Sequence, residues 1–299
     1  MRVIWRSGPR GASWLEIDTQ LARLAESQHP DLQIDVAAGG GRDNLAALKA
    51  GACQLATSID FLGAAAYTGQ EPFGGDAFPR LRTLYSGWPI IPFHLIHEPD
   101  PAADMSALLT SPGLRIGIPP TSTSDELTFR RVLAFYGASY QTIGAAGGTV
   151  LHRDYTDLVE SFASGKIDYL FGATAAPATV LSRLGASGAR HGVLAPLPDD
   201  LVDHLASIGY ARTTIPAGTY PALQAGNVRT AGMPSALFTT DQLPEALTYA
   251  IVTSTLTNVG QLRAIHPSLA NATFASPDPD VVPAHPGARR AAENLDRHR

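Results

Sequence analysis

Four stretches of this chain carry the residue types that hold a small anion: Ser7-Gly8-Pro9-Arg10-Gly11-Ala12-Ser13-Trp14, Gly39-Gly40-Gly41-Arg42-Asp43-Asn44, Pro119-Pro120-Thr121-Ser122-Thr123-Ser124-Asp125 and Gly172-Ala173-Thr174-Ala175-Ala176-Pro177. At the carboxyl ends of parallel strands, loops of this composition feed helix N-termini whose free N–H groups favour a carboxylate. Each stretch alone also reads as ordinary helix capping by Ser, Thr, Asp or Asn. Arg10 and Arg42 can each grip a carboxylate through two parallel hydrogen bonds, or face solvent. Trp14 and Tyr220 read either as walls of a ligand site or as core aromatics. Asp60, directly after an apolar strand at Leu55 to Ile59, either accepts a ligand ammonium or caps a helix.

Other chemistries lack their spacing. Gly8-x-x-Gly11 and Gly39-Gly40-Gly41 do not form G-x-G-x-x-G, and no GxxxxGK[ST] occurs, which argues against a nucleotide. His94 and His97 lie three apart on an expected strand and face opposite sides, with no third ligand at helical spacing, so no metal site is expected. There is no G-x-S-x-G elbow, and the Ser, His and Asp residues nominate no hydrolase triad. The single cysteine, Cys53, allows no internal disulfide and reads as inert packing at the start of a buried strand.

The elements that must position these loops follow from a pattern that occurs twice. Leu48-x-x-Gly51-x-x-Gln54-Leu55-Ala56 matches Phe162-x-x-Gly165-x-x-Asp168-Tyr169-Leu170. Each copy predicts a helix stopped at a glycine, where φ > 0 is cheap, and then a strand entering a sheet. Residues 2 to 6 read as a strand and Trp14 to Ser27 as an amphipathic helix with Leu15, Ile17, Leu21, Leu24 and Ala25 on its apolar stripe. A strand at Leu32 to Ala37 and a helix at Asn44 to Ala50 follow, and strand, loop and helix go on alternating. That alternation predicts mostly parallel sheets covered by helices. Leu81 to Ile96 reads as an extended strand broken by Pro89 and Pro92 and is expected to make a first crossing between two lobes, with Val228 to Thr239 as the strand that returns. The expected organisation is lobe 1 at 1–90 plus 228–299 and lobe 2 at 91–227, with a ligand cleft between them. The tail from Ser276 to Pro286, rich in proline and aspartate, is expected to run extended before a last helix.

Bulk properties narrow the class. Hydrophobic residues make up 44% and charged residues 16% of the 299, which excludes disorder. Net charge is −5 without a basic cluster, which argues against nucleic acid as a partner. No apolar stretch approaches the roughly 20 residues of a membrane span. The start, Met1-Arg2-Val3-Ile4-Trp5-Arg6-Ser7-Gly8, reads as a strand and a glycine loop rather than a secretion signal, so either a leader has been removed or the protein stays in the cytosol.

These motifs resemble those of the TAXI group, the TRAP-associated extracytoplasmic solute receptors. Ser7-Gly8-Pro9-x-Gly11 is similar to that family's opening loop. Gly39-Gly40-Gly41-x-x-Asn44-Leu45 with Leu48-x-x-Gly51 is similar to its GGS-x-x-NL-x-x-L-x-x-G segment, and Asp60, Ala66, Tyr67 and Gly69 also fall in pattern. Gly117-x-Pro119, Gly165-Lys166-Ile167-Asp168 through Pro177, Ile215-Pro216-Ala217-Gly218-Thr219-Tyr220 and His285-Pro286-Gly287-Ala288 continue the likeness nearly end to end. The departures lie in the loops: Ser13 replaces an aromatic, Gly41 a serine, and Pro120-Thr121-Ser122-Thr123 a glycine-rich run. The resemblance implies a two-lobed α/β "Venus flytrap" of the type II periplasmic binding protein class that closes on a small carboxylated solute, an amino acid or organic acid such as glutamate or a 2-oxo acid. It implies no cofactor and no reaction, a periplasmic or extracytoplasmic monomer, and delivery to the membrane subunits of a TRAP transporter. On the receptor reading, the residues expected at the ligand are Gly11, Ser13, Trp14, Arg42, Asn44, Asp60, Thr121, Ser122, Thr123, Thr174 and Tyr220. Two other readings stay open: a cytosolic decarboxylase-like enzyme for an aromatic acid on the same fold, with His94 as acid or base, and a sensor subunit that signals to a partner protein.

Overall fold

The computed structural model describes residues 1–99, 105–185, 190–269 and 282–296. In chain order the elements are β1 (Arg2–Arg6), α1 (Ser13–Gln28), β2 (Gln33–Ala37), α2 (Gly41–Lys49), β3 (Leu55–Ile59), α3 (Asp60–Thr68), β4 (Leu81–His97), α4 (Met105–Thr110), β5 (Arg115–Ile118), α5 (Ser124–Phe135), α6 (Tyr140–Ala145), β6 (Thr149–His152), α7 (Tyr155–Ala163), β7 (Tyr169–Ala173), α8 (Thr179–Ser182), β8 (Val193–Ala195), α9 (Asp199–Ser207), β9 (Ala211–Ile215), β10 (Val228–Thr240), α10 (Glu245–Thr257), α11 (Val259–Ile265) and α12 (Pro286–Asp296). The chain divides into two compact units. The first holds Met1–Gly8, Trp14–Ile90 and Pro234–Arg299, the second Pro9–Ser13 and Ile91–Met233.

In the first unit the strand order is β2-β1-β3-β10. β1 runs parallel to β2 and β3, and β10 runs antiparallel to β3 with Ser235 opposite Ile59. In the second unit the order β6-β5-β7-β4 repeats this plan: β5 is parallel to β6 and β7, and β4 is antiparallel to β7 with Phe93 opposite Ala173. The mixed sheets are flanked by helices. Pro89 and Pro92 do not interrupt β4, although proline removes a ladder donor.

The repeated glycine pattern builds the same joint in both units. After α2, Gly51 has φ +74°; its N–H donates to the Leu48 carbonyl at 3.1 Å, and the Ala52 N–H to Ala47 at 2.9 Å. After α7, Gly165 has φ +72°; its N–H donates to Phe162 at 3.0 Å, and the Lys166 N–H to Ser161 at 2.9 Å. Both are Schellman endings, in which a left-handed residue lets two N–H groups satisfy carbonyls orphaned at the helix terminus. β3 and β7 follow directly. Beyond them stand Asp60 and Thr174, each nine positions past its glycine (51 to 60, 165 to 174). Asp168, on the second joint, receives both Arg115 (2.6 and 2.8 Å) and Arg190 (3.0 Å), which fasten the loop between α7 and β7.

Local differences from the sequence expectation have packing causes. The buried stripe of α1 is Trp14, Ile17, Asp18, Leu21, Ala22 and Ala25, whereas Leu15 and Leu24 are only half-buried. α2 begins three residues earlier than expected, because Gly40 adopts an extended conformation and starts the helix without a side-chain cap. Residues 276–281 of the expected extended tail lie outside the described residues. From Val282 the chain forms a parallel bridge beside β4: the Thr83 N–H donates to Pro283, and the His285 N–H to Thr83, both at 3.0 Å. Pro286 then opens α12, where its missing N–H costs nothing.

Candidate functional site

The sequence-nominated residues fall into two groups, one in each unit. In the second unit, Gly11 takes φ +78°, and a β-carbon there would lie 3.0 Å from Thr156 Oγ1 and 3.1 Å from Tyr155 Cβ. The loop therefore lies flat on the start of α7, held by a hydrogen bond from the Tyr155 N–H to the Arg10 carbonyl. Two residues on, Ser13 reaches Thr174 twice: its N–H donates to Thr174 Oγ1 at 3.1 Å, and the hydroxyls lie 2.8 Å apart. Both residues are buried. Ser13 and Thr174 are thus brought together at the carboxyl end of β7, while Gly11 lies against the start of α7.

The loop before α5 divides its labour. Thr123 is the helix cap: its hydroxyl accepts from the Glu126 N–H at 3.3 Å and donates to the Pro120 carbonyl at 2.7 Å. Thr121 is exposed and Ser122 half-buried, leaving them as the loop's outward polar groups. The sequence reading did not single out the next two residues. The Ser124 hydroxyl is buried and has no partner among the described residues. Asp125 is buried, with Oδ1 2.5 Å from the Tyr155 hydroxyl and accepting from the Ala173 N–H at 2.7 Å. Burial pushes its carboxyl above the ordinary range, against the pull of those two donors. It ties α5 to β7 and α7. A polar pair directly after an N-cap threonine was the available signal.

Tyr220 belongs to the core rather than to an open wall. It is 2% exposed, its hydroxyl lies 3.0 Å from His94 Nε2, and it accepts from the Ala178 N–H at 2.8 Å. The ring packs edge-on against His94. Burial holds His94 down to about pKa 3, so it is a neutral structural imidazole at physiological pH. This environment does not suit the acid–base role that the enzyme reading needs.

In the first unit, Trp14 is likewise a core aromatic, buried with its indole N–H donating to Ser235 Oγ at 2.8 Å. Arg42 is half-buried at the start of α2 and bonds its neighbour Asp43 at 3.2 Å. Asn44 is fully buried and saturated by backbone. Its amide donates to the carbonyls of Ser7 and Thr57 at 2.8 Å and Arg6 at 3.3 Å, and its oxygen accepts from the Gly40 N–H at 3.1 Å. A β-carbon at Gly39 would lie 2.1 Å from that oxygen, which accounts for a glycine there. The glycine run and Asn44 therefore lock the ends of β1 and β3 to α2, leaving no free amide donor for a ligand.

Asp60 differs. It opens α3 at the carboxyl end of β3 and is half-buried; Oδ1 is shielded from solvent and has no partner among the described residues. Burial lifts its carboxyl from 3.8 to about 7, while a backbone hydrogen bond from Gly87 acts the other way.

A second perturbed acid, Asp18, sits in the same unit and was missed because it was not recognised on the buried stripe of α1. Its Oδ2 accepts from the Ser7 hydroxyl at 2.5 Å and the Thr57 hydroxyl at 2.6 Å, and Thr57 in turn accepts from the Trp5 indole at 2.8 Å. Burial raises its pKa to about 7 against those two bonds. A folded-state pKa above the unfolded one contributes stability that is full below pH 4 and is lost as pH rises through 7. Asp18→Asn is therefore expected to gain stability relative to wild type between pH 4 and pH 8, by about 2 to 4 kcal/mol. Denaturant melts of both proteins across that range check it; a difference independent of pH would contradict the assignment.

Among the described residues no group of three or more His, Cys, Asp or Glu side chains is placed to hold a metal, and no helix is long and apolar enough to cross a membrane. Cys53 is buried, and burial pushes its thiol up to about 11, which leaves it protonated and unreactive.

Comparison with known proteins places this geometry in a wider group. The structure resembles a Bordetella bronchiseptica RB50 protein (16% identity, TM-score 0.54, 99% of this chain and 98% of that one). It also resembles a protein described as an L-cystine ABC transporter from Listeria monocytogenes (10% identity, TM-score 0.52, 93% and 99%). A third likeness is to a structure described as a periplasmic transporter (15% identity, TM-score 0.51, 99% and 94%). At these identities the likeness concerns the fold, which is the mixed α/β fold of periplasmic binding proteins, as the sequence led us to expect. No curated protein matches the sequence. Residues 6–293 match one family along nearly the whole chain, and on that match the protein belongs to the NMT1-like family.

Proposed function

We propose that this protein is an extracytoplasmic receptor that captures a small carboxylated solute, an amino acid or organic acid, and delivers it to the membrane subunits of a TRAP-type transporter. The observation that carries the reading is the duplicated joint. The same helix, Schellman turn and strand occur in both units, and each strand ends at a polar side chain in a ligand-loop position, Asp60 or Thr174. Carboxyl ends of parallel strands are where open α/β sheets bind small molecules. Membership of the NMT1-like family and the likeness to proteins described as transporters support a carrier role. Thr121, Ser122 and the loop positions Gly11, Ser13 and Thr174 of the second unit are the polar groups we assign to the solute. A receptor needs no reaction: the solute favours whichever conformation binds it more tightly, and release requires the membrane subunits to favour the other.

The test is isothermal titration against a panel of carboxylates and amino acids, with product analysis of the same mixtures. Saturable binding with the solute recovered unchanged is the expected result. Turnover of an aromatic acid, abolished by His94→Asn, would overturn the receptor reading in favour of an enzyme.

A further inference from the structure

The two strand ends of the duplicated joint are not equivalent in their bonding. Thr174 satisfies its hydroxyl inside its own unit, through Ser13. Asp60, at the matching position, does not. Oδ1 of Asp60 accepts no hydrogen bond from any described residue, and no described Lys, Arg or His forms an ion pair with the carboxylate. Among the described residues, the donor that acts on this side chain is the backbone N–H of Gly87. Gly87 stands at φ +87° within β4, a conformation that side-chain-bearing residues rarely adopt. Several other acids of this unit have side-chain partners within it. Asp76 pairs with Lys49, Asp241 with Arg80 and Arg82, and Asp18 takes two hydroxyl donors. A shielded carboxylate oxygen left without a donor is costly, and a cationic donor relieves that cost more than a neutral one. The residue as a whole is only half-buried and keeps some access to solvent, although Oδ1 itself is shielded.

From this geometry we infer that Asp60 receives the ammonium group of the solute, which makes the protein a receptor for zwitterionic amino acids rather than for plain organic acids. This inference rests on the receptor reading above. A carboxylate that titrates near neutrality also makes capture pH-dependent: an ammonium ligand requires the ionised form, so affinity rises as pH increases through 7.

The experiment is a titration of the full chain with matched triads that differ only at C2, namely alanine, lactate and pyruvate, then glutamate, 2-hydroxyglutarate and 2-oxoglutarate, and further triads covering apolar and basic side chains. Wild type and Asp60→Asn are compared at pH 6, 7 and 8, with thermal melts confirming that the variant is folded. For wild type, the amino member of at least one triad is expected to bind ten-fold or more tightly than its hydroxy and oxo counterparts, and about ten-fold more tightly at pH 8 than at pH 6. Asp60→Asn is expected to lose both the preference and the pH dependence. Equal or tighter binding of the hydroxy or oxo acid, or an amino preference that survives in Asp60→Asn, overturns the inference and leaves the receptor reading standing. Absence of binding by every member of every triad overturns both.

Discussion

Asn44→Ala is expected to lower the stability of the protein by about 3 kcal/mol, because it removes three hydrogen bonds donated by the buried amide and one accepted by it in a single step. The carbonyls of Arg6, Ser7 and Thr57 lose the amide that joins them, and the Gly40 N–H loses its acceptor. No water replaces these bonds cheaply, since Asn44 is 0% exposed. Asn44→Asp keeps the acceptor but sets a carboxylate against three carbonyl oxygens, so it is expected to cost at least as much at neutral pH. Urea denaturation followed by circular dichroism measures both. A loss below about 1 kcal/mol for Asn44→Ala would mean that the amide is not the clamp described.

The second large effect is expected from Gly287→Ala. A β-carbon at this position would stand 2.2 Å from Thr248 Oγ1, 2.4 Å from the Glu245 carbonyl and 2.8 Å from the Tyr249 nitrogen, two of which are backbone atoms. Helices α10 and α12 cross at this point, pinned by His285, whose Nδ1 lies 2.8 Å from the Thr248 hydroxyl and 3.2 Å from the Gly287 nitrogen. Relief requires α12 to lift off α10, at a cost of about 2 to 4 kcal/mol. Hydrogen exchange should show amides of α10 and α12 opening earlier in the variant than in wild type. Unchanged protection there, with an unchanged melting temperature, would contradict the close crossing. Burial also holds the His285 imidazole below its ordinary pKa, so this corner should weaken as pH falls below about 6.5, opposite in sign to Asp18.

Much of the scaffold was legible because its signals are local. The glycines at 51 and 165 announce a left-handed residue, and a left-handed residue after an apolar helical stripe means a helix end whichever tertiary context follows. The strands at 2–6, 55–59 and 228–240 carry continuous or alternating apolar residues that admit little else. The site was harder, since the same residue types serve capping, packing and binding. Thr123 looked like a ligand donor and is a helix cap. Trp14 and Tyr220 looked like walls, and each spends its polar atom inside its own unit on Ser235 or on His94 and Ala178. Asn44 sits in a glycine-rich loop of ligand-binding composition, yet Gly39 is small there to admit the Asn44 amide rather than a solute. Whether a polar side chain is already satisfied depends on partners distant in sequence, which one chain read in order does not reveal. Asp60 shows the converse: sequence left it between two roles, and its bonding makes it the unsatisfied member of the pair.

The motifs that carried the family resemblance prove to be largely structural. A β-carbon on Gly117 would meet Ile167 at 2.5 Å and Leu158 at 2.7 Å, so β5 packs tightly against the helix and loop of the second joint. Tyr220 holds His94 and the Ala178 N–H, and His285 with Gly287 seats the last helix. These residues serve packing, whereas the loops around Ser13, Thr121, Ser122, Thr174 and Asp60 are the ones we assign to the solute.

The central claim, that the protein is a receptor for a small carboxylated solute, is tested most directly by native mass spectrometry of protein purified gently from its own host. The account predicts a bound fraction heavier than the polypeptide by the mass of one small acid, which is released intact on unfolding and rebinds when added back to the stripped protein. A chain that carries no solute and takes up no added amino or organic acid would contradict it.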